Sequence, residues 1–185
     1  MGNKVIAIVG MCGSGKSEVS KILSDLGLIK IRFGDITDKF LMEKKLPRTA
    51  ENERKIREGL RKKYGMAAYA VLNIKNIKRA LKSNDVILDG LYSWEEYLYL
   101  KRIFNKQLIT VLVHASPETR YLRLMKRKER PLTLRESRIR DRTEIENINK
   151  GGPIAMAEFV ILNENKSLKT LSEEVISLWK KIKKL

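Results

Sequence analysis

The chain has little of what redox, metal or membrane chemistry requires. It carries one cysteine, Cys12, and one histidine, His114, in 185 residues. A single thiol excludes an internal disulfide and a cysteine-clustered zinc site, so any metal must arrive with a substrate. His114 ends an apolar run with no acidic or cysteine neighbour in sequence, and is read as structural. Hydrophobic runs are short. The opening Lys4-Val-Ile-Ala-Ile-Val9 is too brief for a secretory core and lacks a cleavage site, and nothing approaches membrane-spanning length. A cytoplasmic location is expected. Acidic residues are scarce, 22 against 39 Lys plus Arg, for a net charge of +17. With 43% hydrophobic and 33% charged residues and no low-complexity stretch, the chain suits one compact soluble domain.

The excess charge has a bland reading, a solvated surface adapted to heat, and functional ones, a polyanionic substrate or nucleic acid. It is concentrated: Arg120 to Arg142 holds ten basic residues and three acidic ones. Tyr121 is the only ring in that stretch, so the aromatic interleaving of a nucleic-acid surface is missing.

Hydrophobic patterning predicts alternating strands and helices. Val5 to Val9, Leu28 to Phe33, Asp85 to Asp89, Gln107 to Val113 and Phe159 to Leu162 read as strands. Helices are expected at Lys16 to Leu26, three or four times between Asp35 and Lys82, at Trp94 to Phe104, at Leu134 to Ile148 and at Leu168 to Lys184. A helix capped by Ser116, with Pro117 in its first turn, is expected to run through the basic stretch to Pro131. Gly151-Gly152-Pro153 reads as a turn. The alternation implies an α/β fold with about five parallel strands and helices on both faces.

Gly10-Met-Cys-Gly-Ser-Gly-Lys16-Ser17 matches G-x-x-x-x-G-K-[ST] between a predicted strand and a predicted helix. The residue types suit phosphate. Gly10, Gly13, Ser14 and Gly15 let backbone N–H groups converge on phosphate oxygens, and the helix N-terminus adds positive potential. Lys16 is placed to reach the β and γ phosphates of ATP, and Ser17 to ligate Mg²⁺. Cys12, inside the loop, reads either as a small packing residue or as a thiol made reactive by that potential.

Two aspartates fall at the strand ends where α/β sheets place ligands. Asp89 suits a carboxylate that holds Mg²⁺ through water, or a simple turn cap. Asp35 suits an acceptor-orienting or proton-accepting group, or a helix N-cap. Arg123 and Arg127 are four residues apart, as are Arg138 and Arg142 across Pro131. Such pairs read as a clamp on the transferring γ-phosphoryl group or as solvated basic faces. Catalytic roles are therefore expected for Lys16, Asp35, Arg127 and Arg138, and nucleotide contact for Arg123. A regulatory GTPase is excluded, since no D-x-x-G is present and Asn165-Lys166-Ser167 is followed by Leu168.

The loop Gly10 to Ser17, the strand Val86-Ile-Leu-Asp-Gly90 and Arg123-Leu-Met-Lys-Arg127 resemble the nucleoside monophosphate kinase and dephospho-CoA kinase group. The likeness is nearest to an archaeal family described as adenylate kinase-related or dephospho-CoA kinase-related, and spans nearly the whole chain. It implies a three-layer P-loop NTPase fold in a single domain. The core would be residues 1–34, 83–130 and 151–185, with acceptor-binding helices at 35–82 and an arginine-rich lid at 131–150. It also implies acceptor-phosphate contacts from Arg57 and Arg61. Ala157-Glu-Phe-Val-Ile-Leu-Asn163 with Ser167-Leu168 looks like the last strand and helix of dephospho-CoA kinases, which would bring Asn163 to the adenine. Where adenylate kinases follow Asp-Gly with Phe-Pro-Arg, this chain has Leu91-Tyr92-Ser93, so AMP and dephospho-CoA both stay open as acceptors. The implied activity is ATP- and Mg²⁺-dependent transfer to a nucleotide-like acceptor. The alternative is a nucleotide-gated ATPase or an RNA- or polyanion-binding protein.

Overall fold

A computed structural model describes residues 2–185. Five strands form one parallel sheet: β1 (Val5–Val9), β2 (Ile29–Arg32), β3 (Val86–Asp89), β4 (Leu108–His114) and β5 (Phe159–Leu162). Their spatial order is β2-β3-β1-β4-β5. β1 is apolar along its whole length because both its faces are covered, and all five of its residues are buried. β2 lies at one edge, and Lys30 and Arg32 are exposed between the half-buried Ile29 and Ile31.

Nine helices connect and cover the sheet among the described residues: α1 (Lys16–Asp25), α2 (Asp35–Glu43), α3 (Ala50–Tyr64), α4 (Ala68–Ala80), α5 (Trp94–Phe104), α6 (Pro117–Met125), α7 (Leu134–Glu146), α8 (Gly151–Ala155) and α9 (Leu168–Ile182). Two apolar cores result. Val5, Ala7, Val9 and Leu88 pack on one face with Leu41, Ile56, Ile77, Tyr97 and Leu100 from the helices of the middle of the chain. Ile6, Ile8, Ile87, Val111 and Ile161 pack on the other with Val19 and Leu23 of α1 and the stripe Leu171, Val175, Trp179 and Ile182 of α9. That stripe repeats at helical spacing, so burial follows from sequence period alone.

Two expectations need correction. The helix begun by Ser116 and Pro117 stops at Met125, where Lys126 forms its C-cap. Residues 126–130, Lys-Arg-Lys-Glu-Arg, offer no apolar side chain to bury, and helices this short depend on such burial. The chain instead turns at Arg130, φ 50°, and Leu132 returns its N–H to the Leu124 carbonyl at 3.1 Å. Gly151-Gly152-Pro153 is also no turn, but opens the five-residue helix α8. Gly152 serves close packing: a Cβ there would lie 2.6 Å from Trp94 Cε3.

The C-terminal ends of β1 and β3 lie side by side, with Ile8 opposite Asp89. β4 pairs on the other side of β1. Chain connections therefore diverge around the end of β1, opening the crevice in which α/β sheets bind ligands.

Trp179→Ala empties the α9 side of the core and is expected to cost about 3–5 kcal/mol of unfolding free energy, read from urea denaturation with an unchanged m-value. A loss below about 1 kcal/mol would show that α9 is not integral to this core.

Candidate functional site

The loop from Gly10 to Ser17 occupies that crevice. Its backbone reverses through positive φ at Gly13 (83°) and Gly15 (100°). A side chain at Gly15 would also lie 2.1 Å from Asn163 Nδ2, so two independent constraints demand glycine there. Three loop carbonyls are each taken by a side-chain donor. Lys16 Nζ donates to Met11 O at 2.8 Å, Arg120 Nη1 to Cys12 O at 3.0 Å, and Asn163 Nδ2 to Ser14 O at 2.9 Å. Ser14 N donates to Met11 O at 3.3 Å, while the amides of Gly13, Gly15, Lys16 and Ser17 meet no backbone acceptor among the described residues. Carbonyls pinned away and amides left over make a concavity at a helix N-terminus whose chemistry suits an anion.

Lys16 begins α1 with Gly15 as its N-cap, and Ser17 follows it on the exposed side. The Lys16 ammonium is held down to a pKa of about 8, first by burial and then by the nearby Lys150 ammonium. Cys12, Glu144 and Asp89 oppose that shift. Asp89 ends β3, and Lys30 Nζ holds its Oδ2 at 2.9 Å.

Arg120 ties the loop to α7. It is 4% exposed and pairs in bidentate fashion with Asp141, at 2.9 and 2.6 Å, while donating to Cys12 O. Tyr121 Oη also donates to Asp141, at 3.0 Å. Further along α7, Glu144 accepts from Arg140 Nε at 3.2 Å and pairs with the buried Lys150. Lys150 and Arg140 hold the Glu144 carboxyl below the usual carboxylate range, although burial pushes the other way. Burial raises the Tyr92 phenol to about 12, with Glu144 and Asp89 adding to the rise.

The remaining candidates are dispersed. Asp35 opens α2 with Gly34 as the cap residue, and its exposed carboxylate pairs with Arg32 Nε at 2.6 Å. Arg123 donates from Nη2 to Asn163 O at 2.9 Å and so braces the loop's support. Arg127 lies past the end of α6, exposed, and cannot share a helical face with Arg123. Arg138 and Arg142 do share α7, but both are exposed and Arg142 pairs with Glu146 at 2.8 Å. Arg57 pairs loosely with Glu53 at 3.6 Å, and Arg61 lies over the Tyr69 ring at 5.9 Å. His114 is exposed at the end of β4. Cys12 is half-buried.

Arg120, Asp141, Glu144 and Lys150 escaped the sequence reading. Ser137, Asp141 and Glu144 form the buried face of α7 at i, i+4 and i+7, the spacing of a core stripe written in polar residues. Charged residues at that period read as solvent-facing, so the only available signal was the spacing itself. Among the described residues no cluster of three or more His, Cys, Asp or Glu groups forms a metal site, and no helix is long and apolar enough to cross a membrane.

Comparison with known proteins agrees with this architecture. The UPF0200 protein of Sulfurisphaera tokodaii is 36% identical over 179 residues, covering 94% of this chain and 96% of that protein. Shikimate kinase from Bacteroides thetaiotaomicron superposes with a TM-score of 0.63 at 14% identity, over 96% of this chain and 98% of that one. A gluconokinase from Sinorhizobium meliloti gives 0.57 at 17% identity, over 94% and 90%. These structural likenesses establish a P-loop kinase-like fold. Residues 6–149 match the AAA domain family AAA_18, and with the extent of the likeness to the Sulfurisphaera protein this shows that the chain belongs to that P-loop family and, within it, to the UPF0200 proteins.

Proposed function

We propose that this protein is an ATP-dependent small-molecule kinase that transfers the γ-phosphoryl group to a nucleotide-like acceptor of the adenylate kinase or dephospho-CoA kinase type. The observation that carries the reading is the loop whose carbonyls are pinned back by Lys16, Arg120 and Asn163, next to a charged segment folded over the same sheet end. An ATPase would share the loop. A buried charged cover, together with three helices inserted between β2 and β3, is what a transferase needs to hold an acceptor and exclude water.

The residues fit Mg²⁺ with ATP. The four spare amides suit phosphate oxygens, and the hydroxyl of Ser17 and the carboxylate of Asp89 are the oxygen donors that a hard cation takes. Ser17 would hold Mg²⁺ directly and Asp89 through water, and the chemistry the ion would supply there is neutralisation of phosphate charge. Lys16 supplies the charge that the protein itself brings to those phosphates. In the transfer, an acceptor oxygen forms a bond to the γ phosphorus while the bond to the β–γ bridging oxygen breaks. ADP takes that electron pair, and the acceptor proton passes to Asp35 or to solvent. Positioning carries most of such a reaction, so the exposed and Arg32-paired state of Asp35 is compatible with an orienting role. Arg138 of the lid stays a candidate for the clamp through α7, and Arg127, outside the lid, through the segment beyond α6.

The adenine would lie beside the β5–α9 connection, where Asn163 and Arg123 meet. Several surface cations stand in helical i, i+4 pairs such as Lys21–Asp25, Lys55–Glu51 and Arg142–Glu146. Such pairs are the pattern of a solvated surface, and with Tyr121 the only ring in the basic stretch from Arg120 to Arg142 they favour a small-molecule substrate over nucleic acid.

Lys16→Ala is expected to weaken ATP binding by at least about tenfold by calorimetry, and unchanged affinity removes the phosphate-loop assignment. The unmodified protein should form ADP faster with one of AMP, CMP or dephospho-CoA than without acceptor. If none accelerates ADP formation over basal hydrolysis, the kinase reading loses its support.

The Lys16 pKa gives a second expectation. Below about pH 8 the free protein already carries the ammonium; above it, binding must take up a proton, because phosphate raises the Lys16 pKa in the complex. Affinity for ATP should therefore hold steady at neutral pH and fall as pH rises through about 8. Calorimetry in buffers of different ionisation enthalpy should show proton uptake near that pH. Absence of uptake there would mean that Lys16 does not meet the phosphates.

A further inference from the structure

Lys150 is the most unusual cation in the chain. Its side chain is 2% exposed, and the residue is the N-cap of α8, just before Gly151 and Gly152. Its ammonium pairs with Glu144 and stands 4.7 Å from the centre of the Tyr92 ring, and its own N–H donates to Glu144 O at 3.2 Å. A long side chain seldom goes fully inside without a reason. One reason would be an internal ion pair that fastens the end of α7. That account leaves the location unexplained, because the ammonium is buried against the Tyr92 ring, which lies beside Gly90 at the end of β3 that flanks β1, and a buried cation is costly.

The surroundings supply the missing partner. Lys16, Lys150, Arg140 and Lys30 are four cations around two carboxylates, since Glu144 serves Lys150 and Arg140 and Asp89 serves Lys30. The imbalance is two positive charges at the mouth of the phosphate loop. Lys150 also meets, at the Tyr92 ring, the segment that follows Asp89-Gly90, on the side where the acceptor is expected.

We infer that Lys150 is the second phosphate-contacting lysine of this site, reaching the terminal phosphate of a bound nucleoside triphosphate, and that Glu144 is the positioning carboxylate that holds it there until the phosphate arrives. The inference deepens the kinase reading and rests on it for the nature of the ligand. Glu144 stands in for the phosphate charge in the free protein, keeping Lys150 and Arg140 ordered and close by. A triphosphate then competes with it for both cations. A diphosphate, which stops one phosphate short, leaves the pair with Glu144 in place.

The test is differential. Dissociation constants for a non-hydrolysable ATP analogue and for ADP are measured by calorimetry on the full chain, for the unmodified protein, Lys150→Met and Lys150→Arg, with melting curves recorded alongside. Lys150→Met should weaken the analogue by about tenfold or more while ADP changes less than about threefold, and Lys150→Arg should restore most of the loss. Equal weakening of both ligands, or none, overturns the inference and leaves Lys150 as a structural ion pair. If Lys150→Met does not fold, Glu144→Gln carries the test: freeing Lys150 and Arg140 must raise the preference for the analogue over ADP, and an unchanged preference is equally fatal. The two readings separate cleanly. Selective loss of the analogue without turnover of any acceptor refutes the kinase and keeps the phosphate contact, whereas turnover with no selective loss does the reverse. Failure of the unmodified protein to bind the analogue overturns both.

Discussion

Everything at the β1 end of the sheet depends on where three carbonyl oxygens point. A loop that offers N–H groups to an anion must turn the partial negative charges of the same peptides away, and glycines alone do not enforce that. Here Met11, Cys12 and Ser14 each surrender their carbonyl to a side chain, from Lys16, Arg120 and Asn163 in turn. Lys16 belongs to the loop itself, while the other two donors come from elsewhere in the fold, the middle of α6 and the residue after β5. Parallel pairing of β4 and β5 delivers Asn163, whose own N–H reaches His114 O at 2.7 Å. The loop conformation is thus a property of the whole sheet rather than of eight residues.

Arg120 makes the same constraint reach α7. One guanidinium satisfies Cys12 O, Ala115 O and both oxygens of Asp141, so the donor loop and the covering helix share a single buried hub. Burying such a pair contributes little net stability, but removing one partner is expensive, and this fixes geometry more than it adds free energy. The inward face of α7 is therefore ionic where most helices are apolar. The segment before it is held the same way, with both terminal nitrogens of Arg130 on Glu53 of α3 at 3.2 Å. An apolar seam has no competitor in water, whereas ion pairs can be exchanged for the charges of a phosphate.

What could be read from the sequence follows from this division. The strands were legible because burial on both faces writes continuous apolar runs, and the limits of α5 and β5 matched to the residue. The glycine-rich loop between β1 and α1 was legible because its motif is local. Arg127 was misplaced on a helix because a basic run keeps helical propensity after it has lost any apolar face to bury. The hub was invisible for a deeper reason: Arg120, Asp141, Glu144 and Lys150 are charged residues whose burial is decided by partners far along the chain, and period alone assigns them to solvent.

After Asp89-Gly90 the chain spends its polar groups on itself: Tyr92 and Ser93 donate their N–H groups to Glu96 Oε2, and Ser93 Oγ donates to Met66 O. This capping box starts α5, and Glu96 is so thoroughly buried that its carboxyl rises to about 7 despite those donors. A segment committed in this way has no cation to offer an acceptor phosphate, consistent with the absence of an arginine from Leu91-Tyr92-Ser93. In the proposed reaction, recognition then falls to α2, α3 and α4. There Thr37 and Tyr69 share a hydroxyl hydrogen bond of 2.6 Å, and Arg61 Nε is buried without a protein partner among the described residues. A buried guanidinium nitrogen lacking an acceptor is costly to maintain, and an anionic group on the acceptor would satisfy it.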